Sequence, residues 1–430
     1  MKVNKLRKLF LIVIVLVFTG QSIYAQTGTN SPYSRFGIGQ LKSKSVNSRL
    51  HGMGGLSNAI SSNRFVNPSN PASYAGFDSL SFLFNAGLEM NSTTYRTAAL
   101  TEKGSNASLS YFSLGFPVTH RWKTALGLLP YSDVGYSTIV SGVTDETGRY
   151  NYAYSGDGGL NQLFLGNAFK ISDRLSVGIN LTYVFGRNTS STLLYFPDST
   201  LYANTKTENR LLANDFMLDY GIIYAHPIGK DYTLNAGLTY GQKIKLSITE
   251  ESLTRSLFGG VNGGVEYILD TISYTPERKN TITLPHTLGF GLAFERNDQW
   301  LVGLDANWQN WKDFKIGNQP DSLQNSWNIA IGGEFTPPYT SISKYWSRVT
   351  YRLGARYNQT YLNIYNESIN EFGISFGLGL PLPRSLTTID LSVEIGRGGT
   401  TAKNLIQETF VNFTLGVSIY ERWFVKRRYN

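Results

Sequence analysis

Thr409-Phe410-Val411-Asn412-Phe413-Thr414-Leu415-Gly416-Val417-Ser418-Ile419-Tyr420, close to the end of the chain, decides how the rest is read. Val411, Phe413, Leu415, Val417 and Ile419 alternate with Asn412, Thr414, Gly416 and Ser418. Successive side chains of a strand point to opposite sides, so the large apolar groups share one face and the other face is small and polar. A soluble sandwich buries such an oily face against a second sheet. An outer-membrane barrel turns it to lipid and turns the polar face to the lumen.

The same alternation recurs from Leu80 onward. Strands are expected at Leu80–Met90, Ala107–Val118, Trp122–Tyr136, Leu160–Ile171, Leu175–Arg187, Asp215–Ala225, Tyr232–Leu246, Thr281–Glu295, Trp300–Phe314, Trp327–Thr336, Val349–Gln359, Phe372–Pro381, Thr388–Gly396 and the closing segment, fourteen in all. Short turns such as Thr119–Arg121 and Ser172–Arg174 alternate with long polar stretches such as Ser137–Gly159, Asn188–Asn214 and Ser247–Asn280. Short periplasmic turns and long external loops are the habit of outer-membrane barrels, and an even strand count returns the chain to its starting side. The expectation is an all-β, 14-stranded antiparallel transmembrane β-barrel in the cell outer membrane, with both mature termini periplasmic. About eight strands already make a barrel that side chains can fill, so a fourteen-strand lumen needs an occupant.

Residues 1–25 read as a cleavable export signal: Lys2, Lys5, Arg7 and Lys8 precede an apolar run from Leu9 to Phe18, and Ala25 stands at the cleavage position. Residues 26–78 are rich in Ser, Asn, Gly and Pro with scattered apolar anchors, which predicts an irregular plug or hatch with one short helix near Gly55–Ser61. Residues 79–420 form the barrel and 421–430 a basic periplasmic tail. The chain has no cysteine, which excludes a disulfide scaffold and thiol chemistry. The leader supplies four of the +9 formal charge, and the +5 that remains is too dispersed for a nucleic-acid surface. Aromatic content of 13% with a mean hydropathy of −0.19 fits a barrel whose apolar belt is diluted by a polar interior.

Chemistry is sparse. His51, His120, His226 and His286 share no metal-ligand spacing, and neither Ser155–Gly159 nor Arg397-Gly398-Gly399 lies between a strand and a helix as a phosphate cradle must. No catalytic residue, cofactor or metal is expected. Asp215, Asp219, Glu89, Asn180, Asp305, Glu334, Arg352, Arg356 and Glu394 fall on the less oily strand faces and are expected to look inward. Pro130 and Pro285 stand inside strand patterns, where a missing N–H breaks a rung and forces a wall kink or a local opening.

Taken in order, several stretches resemble the FadL/TodX outer-membrane transporters of fatty acids and other hydrophobic compounds. Asn70-Pro71-Ala72 is similar to the family's hatch motif, and Leu284-Pro285-His286-Thr287-Leu288-Gly289-Phe290-Gly291 to its proline-led strand. Asp305-Ala306-Asn307-Trp308-Gln309-Asn310-Trp311-Lys312-Asp313-Phe314 and Tyr351-Arg352-Leu353-Gly354-Ala355-Arg356-Tyr357 resemble two later strands. Ser31-Pro32-Tyr33-Ser34-Arg35-Phe36-Gly37 has no counterpart. The resemblance implies a monomeric hatch-plugged barrel passing hydrophobic small molecules such as long-chain fatty acids, with Asn70, Pro71 and Ala72 at the gate. Tyr131, Tyr136, Tyr152 and Tyr154 would then serve as capture residues. The family also holds PorV, a non-channel partner of a secretion machine, so the alternative is an accessory subunit using its external loops or tail on a protein partner. Outer-membrane lipid is a partner under either reading.

Overall fold

The computed structural model describes residues 28–43, 47–199, 201–261, 264–296, 299–317, 319–320, 323–338, 344–383 and 385–422. The leader expected at residues 1–25 and residues 423–430 of the expected tail lie outside them.

The strands are β1 (Gln40–Leu41), β2 (Ser81–Arg96), β3 (Thr101–Pro117), β4 (Trp122–Thr144), β5 (Gly148–Lys170), β6 (Leu175–Tyr195), β7 (Asn204–Ile228), β8 (Tyr232–Gly241), β9 (Ile244–Gly259), β10 (Glu266–Leu284), β11 (Thr287–Arg296), β12 (Trp300–Gln309), β13 (Lys315–Ile316), β14 (Gln319–Pro320), β15 (Ser326–Phe335), β16 (Thr350–Ile364), β17 (Glu367–Pro381), β18 (Thr388–Gly399) and β19 (Gln407–Arg422). Fourteen of them form one closed antiparallel ring, in the order β2 to β8, β11, β12, β15 to β19. β19 closes the ring on β2, from Gln407 opposite Arg96 to Arg422 opposite Ser81. The closing strand shows why: Thr414 and Ser418 are 1% and 3% exposed, whereas Val411 on the opposite face is 42% exposed. Lipid covers that second face, and closure leaves the membrane-embedded sheet without an edge. Outward aromatics gather near the periplasmic turns, where Tyr232 stacks on Phe294 at 5.7 Å and Trp122 on Phe169 at 5.9 Å.

Two expectations change. The stretches expected as long polar loops are mostly strand: β4 and β5 pair without a break from Ser132–Leu160 up to Thr144–Gly148, and β6 with β7 up to Leu194–Thr205. About 9–11 residues suffice to cross the bilayer, so these strands continue above it as a half-wall. Water replaces lipid on the outer face there, so no oily face is enforced and the alternation by which a strand is recognised weakens. The expected strands Tyr232–Leu246 and Thr281–Glu295 are each split, at Gln242-Lys243 and Pro285-His286, and Trp300–Phe314 ends at Gln309.

Residues 28–43 and 47–78 lie inside the ring. The plug's helix, α1 (Ser48–His51), sits earlier than expected because the Asn47 side chain accepts from the Arg49 N–H at 2.9 Å and caps it there. Its backbone rests directly on the wall, which only glycine allows: a Cβ on Gly354 would strike the Met53–Gly54 peptide, and one on Gly237 the Asn58 carbonyl. Gly237→Val is therefore expected to lift the plug and cost about 1–3 kcal/mol. Heat-modifiable migration with limited proteolysis checks this, and an unchanged, protease-resistant plug would contradict it.

Candidate functional site

The wall is interrupted beside Pro130. β3 and β4 pair only from Phe112–Leu128 to Pro117–Lys123. Beyond that point Pro130 has no N–H to offer, and the register of β4 on β5 shifts between Pro130 and Ser132. Above Phe112, β3 has no ladder with β4.

Residues 28–43 fill the space. β1 adds to β4 in antiparallel register, Gln40 opposite Asp133 and Leu41 opposite Ser132. The Lys42 N–H donates to the Tyr131 carbonyl at 3.0 Å, the Ser132 hydroxyl to the Ile38 carbonyl at 2.8 Å, and the Lys42 ammonium pairs with Asp133 at 3.2 Å. On the β3 side Asn30 Nδ2 donates to the Ser105 carbonyl at 3.1 Å and Asn106 to the Gly28 carbonyl. The far wall holds it too, through Ser31 to Glu408 at 2.5 Å, Tyr33 to the Ile406 carbonyl at 2.6 Å and Tyr361 to the Gly39 carbonyl at 2.7 Å. Burial pushes the Tyr33 phenol up to about 12, against the lowering by that bond to Ile406. Ile38, 1% exposed, anchors an apolar cluster with Leu160, Val184, Met217, Leu246 and Trp311. This stopper is Ser31–Gly37 and its flanks, the stretch without a counterpart in the resemblance. The signal for it was local: Ser31 caps a 3-10 turn that begins at Pro32. The plug was expected to enter from the periplasm. At its first described residue it lies instead near the extracellular end, on Asn106 of β3, and descends to Asp78.

Beneath the stopper is a cavity of about 420 Å³. Its lining mixes amides and carboxylates, among them Asn58, Asn307, Glu89, Asp219, Glu371 and Glu394, with apolar and aromatic groups such as Met217, Leu284, Leu288 and Trp311. Asn58 Nδ2 donates to Asn307 at 2.9 Å, and Arg356 Nε to Glu394 at 2.5 Å. Pro285 is on its rim. Around it the ladder of β7 stops at Asp219–Gly241 and resumes with β9 at Ala213–Ile248, with the Asp215 carboxylate accepting from the Ser247 N–H at 2.9 Å in between.

The floor is pinned by buried polar groups. Asp305 accepts from the Ser57 and Asn58 N–H groups at 2.6 and 2.8 Å, and Asn180 donates to the Pro68 carbonyl at 2.9 Å. Asn70 accepts from the Ala72 N–H at 3.0 Å, capping the 3-10 turn Pro71–Gly76, and donates to the Asn58 carbonyl at 2.6 Å. Asn70 and Ala72 are 0% and 1% exposed. Lower still, Arg49 of α1 bonds Glu334 of β15, which accepts from Arg352 at 3.0 Å, and Arg352 bonds Asp390 at 2.7 Å. A periplasmic vestibule of about 760 Å³ opens below.

Of the four tyrosines, Tyr131 lines the cavity. Tyr136 lies over Gly156 in the half-wall, and Tyr152 stacks on Tyr154 at 6.1 Å, which receives the Arg35 guanidinium of the stopper at 5.2 Å. They do not converge on one pocket.

The BamG family model matches residues 6–430. Among solved structures, the chain is similar to the toluene transporter TbuX of Ralstonia pickettii, at 15% identity over 88% of this chain and 98% of that one, TM-score 0.59. It is similar to the toluene transporter TodX of Pseudomonas putida, at 16% over 90% and 100%, TM-score 0.58. A FadL homologue of Pseudomonas aeruginosa gives 14% over 88% and 98%, TM-score 0.57. At these identities the likeness is one of fold. No curated protein matches the sequence.

Proposed function

The chain belongs to the BamG family, with the barrel of the FadL-type outer-membrane proteins, and for this member we propose a non-conducting role, as an accessory subunit that offers its extracellular half-wall to a protein partner. The observation that carries this is the stopper, bonded into the Pro130 gap from β3, β4, β16 and β19 as though it were part of the wall. Two further features support it. The cavity beneath carries the carboxylates Glu89, Asp219, Glu371 and Glu394 in its lining, whose desolvation an apolar solute cannot offset. Above the bilayer β10, the outer strand of a hairpin whose β9 is laddered to β7, exposes Tyr267, Ile268, Leu269, Ile272 and Tyr274, each more than half exposed.

A second reading, passage of a hydrophobic compound such as a long-chain fatty acid, is favoured by the Pro285 break. There the cavity lining extends to outward-facing Tyr220, Tyr240 and Trp308. Asn70, Pro71 and Ala72 would be the gate and Tyr131 a contact on the route.

The test uses the full mature chain in liposomes. The accessory reading expects toluene entry no faster than in protein-free vesicles, and photo-cross-linkers at Ile268 and Ile272 in native membranes to yield adducts with another protein. Rapid toluene entry without adducts sinks it in favour of the channel.

A further inference from the structure

Outward-facing groups of five neighbouring strands line up in one row: Tyr220 opposite Tyr240, Tyr240 opposite Leu288, Leu288 opposite Trp308 and Trp308 opposite Trp327. Tyr240 stands eight residues along β8 from its start at Tyr232, close to the length that crosses the hydrocarbon core. Such a row of Tyr and Trp marks the lipid–water interface on the extracellular side.

Immediately above it the wall turns basic. Lys243 follows the end of β8. Lys245 and Lys315 flank Thr283 from opposite sides, one on β9 and the other on β13. Strand spacing puts their backbones roughly 10 Å apart, within reach of one anion for two long side chains. Lys312, Lys245 and Lys315 are exposed. Asp313 is the carboxylate among them. It is taken up by Lys243 at 2.7 Å, and that bond holds its carboxyl below the usual range. Neither Lys245, Lys312 nor Lys315 makes an ion pair among the described residues. His286, stacked on Tyr240 at 5.9 Å, joins the aromatic row to the basic one.

We propose that this is a binding site for a net-anionic, phosphate-bearing lipid of the outer leaflet. Its phosphate sits among Lys243, Lys245, Lys312 and Lys315, and its acyl chains lie down the Tyr220–Tyr240–Leu288–Trp308 stripe. The position decides the source of the anion: cations stacked directly over a lipid-facing aromatic row sit at headgroup height, where each basic side chain adds to the attraction. The site is independent of whether the barrel conducts.

Native mass spectrometry of the full mature chain, with lipid A, phosphatidylglycerol, phosphatidylcholine or inorganic phosphate as probe, tests it. Lipid A and phosphatidylglycerol are expected to bind, and Lys245→Gln with Lys315→Gln to weaken both by about thirtyfold. Lys245→Arg with Lys315→Arg should restore binding, and Trp308→Ser should weaken the lipids while leaving inorganic phosphate unaffected. All three variants sit on the outer surface, and unchanged heat-modifiable migration verifies their fold. Equal binding of phosphatidylcholine, inorganic phosphate as strong as the lipids, or no loss in the double glutamine variant would each overturn the proposal.

Discussion

Removing residues 28–43 from the mature chain opens the wall: planar bilayers that are silent with the intact protein conduct with the deleted one. β3 above Phe112 has no ladder to β4, so nothing else in the described chain closes that edge. The deletion removes β1, the Lys42–Asp133 pair and the stopper's own bonds to Glu408, Ile406 and Tyr361. A graded form is Ile38→Ala, which empties the centre of the apolar cluster and costs about 2–5 kcal/mol. At the lower end that multiplies the population with the stopper released on the order of thirtyfold. Single-channel recording should show brief openings for Ile38→Ala and a sustained conductance for the deletion. Toluene entry into liposomes should follow the same order. A deleted barrel that folds, as heat-modifiable migration reports, yet stays silent would mean that the plug below, residues 47–78, is the true seal and that the stopper serves only stability.

What could be read beforehand divides along the bilayer. Within it, one oily face per strand is enforced by lipid, so Val411–Ile419 and Leu175–Phe185 announced themselves and the ring of fourteen followed. Above it, water replaces lipid on the outer face. Tyr150, Tyr152 and Tyr154 still alternate with Asn151 and Ala153, but nothing penalises a polar outer face, and the strands looked like loops. Inside the ring the limit is distance along the chain. Pro130 advertised a missing N–H, a local fact. That Gln40 would pair with Asp133, some ninety residues away, rests on a contact that neither residue type signals. The same holds for Asn47, whose cap moved the helix ahead of Gly55–Ser61, and for Gly237 and Gly354, where the requirement for glycine comes from the plug's backbone. The inward carboxylates and arginines were recognisable because lipid would not tolerate them. Their partners in the plug were not.

Those partners carry the second large effect. Glu334→Ala is expected to unlock the plug from its periplasmic side. Glu334 lies between two guanidinium groups, Arg49 of the plug and Arg352 of the wall, and Arg352 reaches on to Asp390. The side chains of Arg352 and Asp390 are 4% and 3% exposed, so the network is two cations and two anions with little water to share the charge. Removing one carboxylate leaves an unbalanced buried cation, which costs about 3–5 kcal/mol. Arg49 then loses the carboxylate it is bonded to and keeps only the longer-range attraction of Asp390 and Glu295, with its stacking on the Phe65 ring at 4.9 Å. The plug should become cleavable by protease added to the vestibule side, and the heat-modifiable transition should fall. Replacing the pair together, Glu334→Met with Arg49→Met, removes opposite charges and fills their volume with apolar atoms. It should cost much less than the single change, since a matched pair pays its own desolvation. If the double variant is as damaged as the single one, the network holds the plug through its shape and hydrogen bonds, and charge balance is not what keeps the floor of this barrel in place.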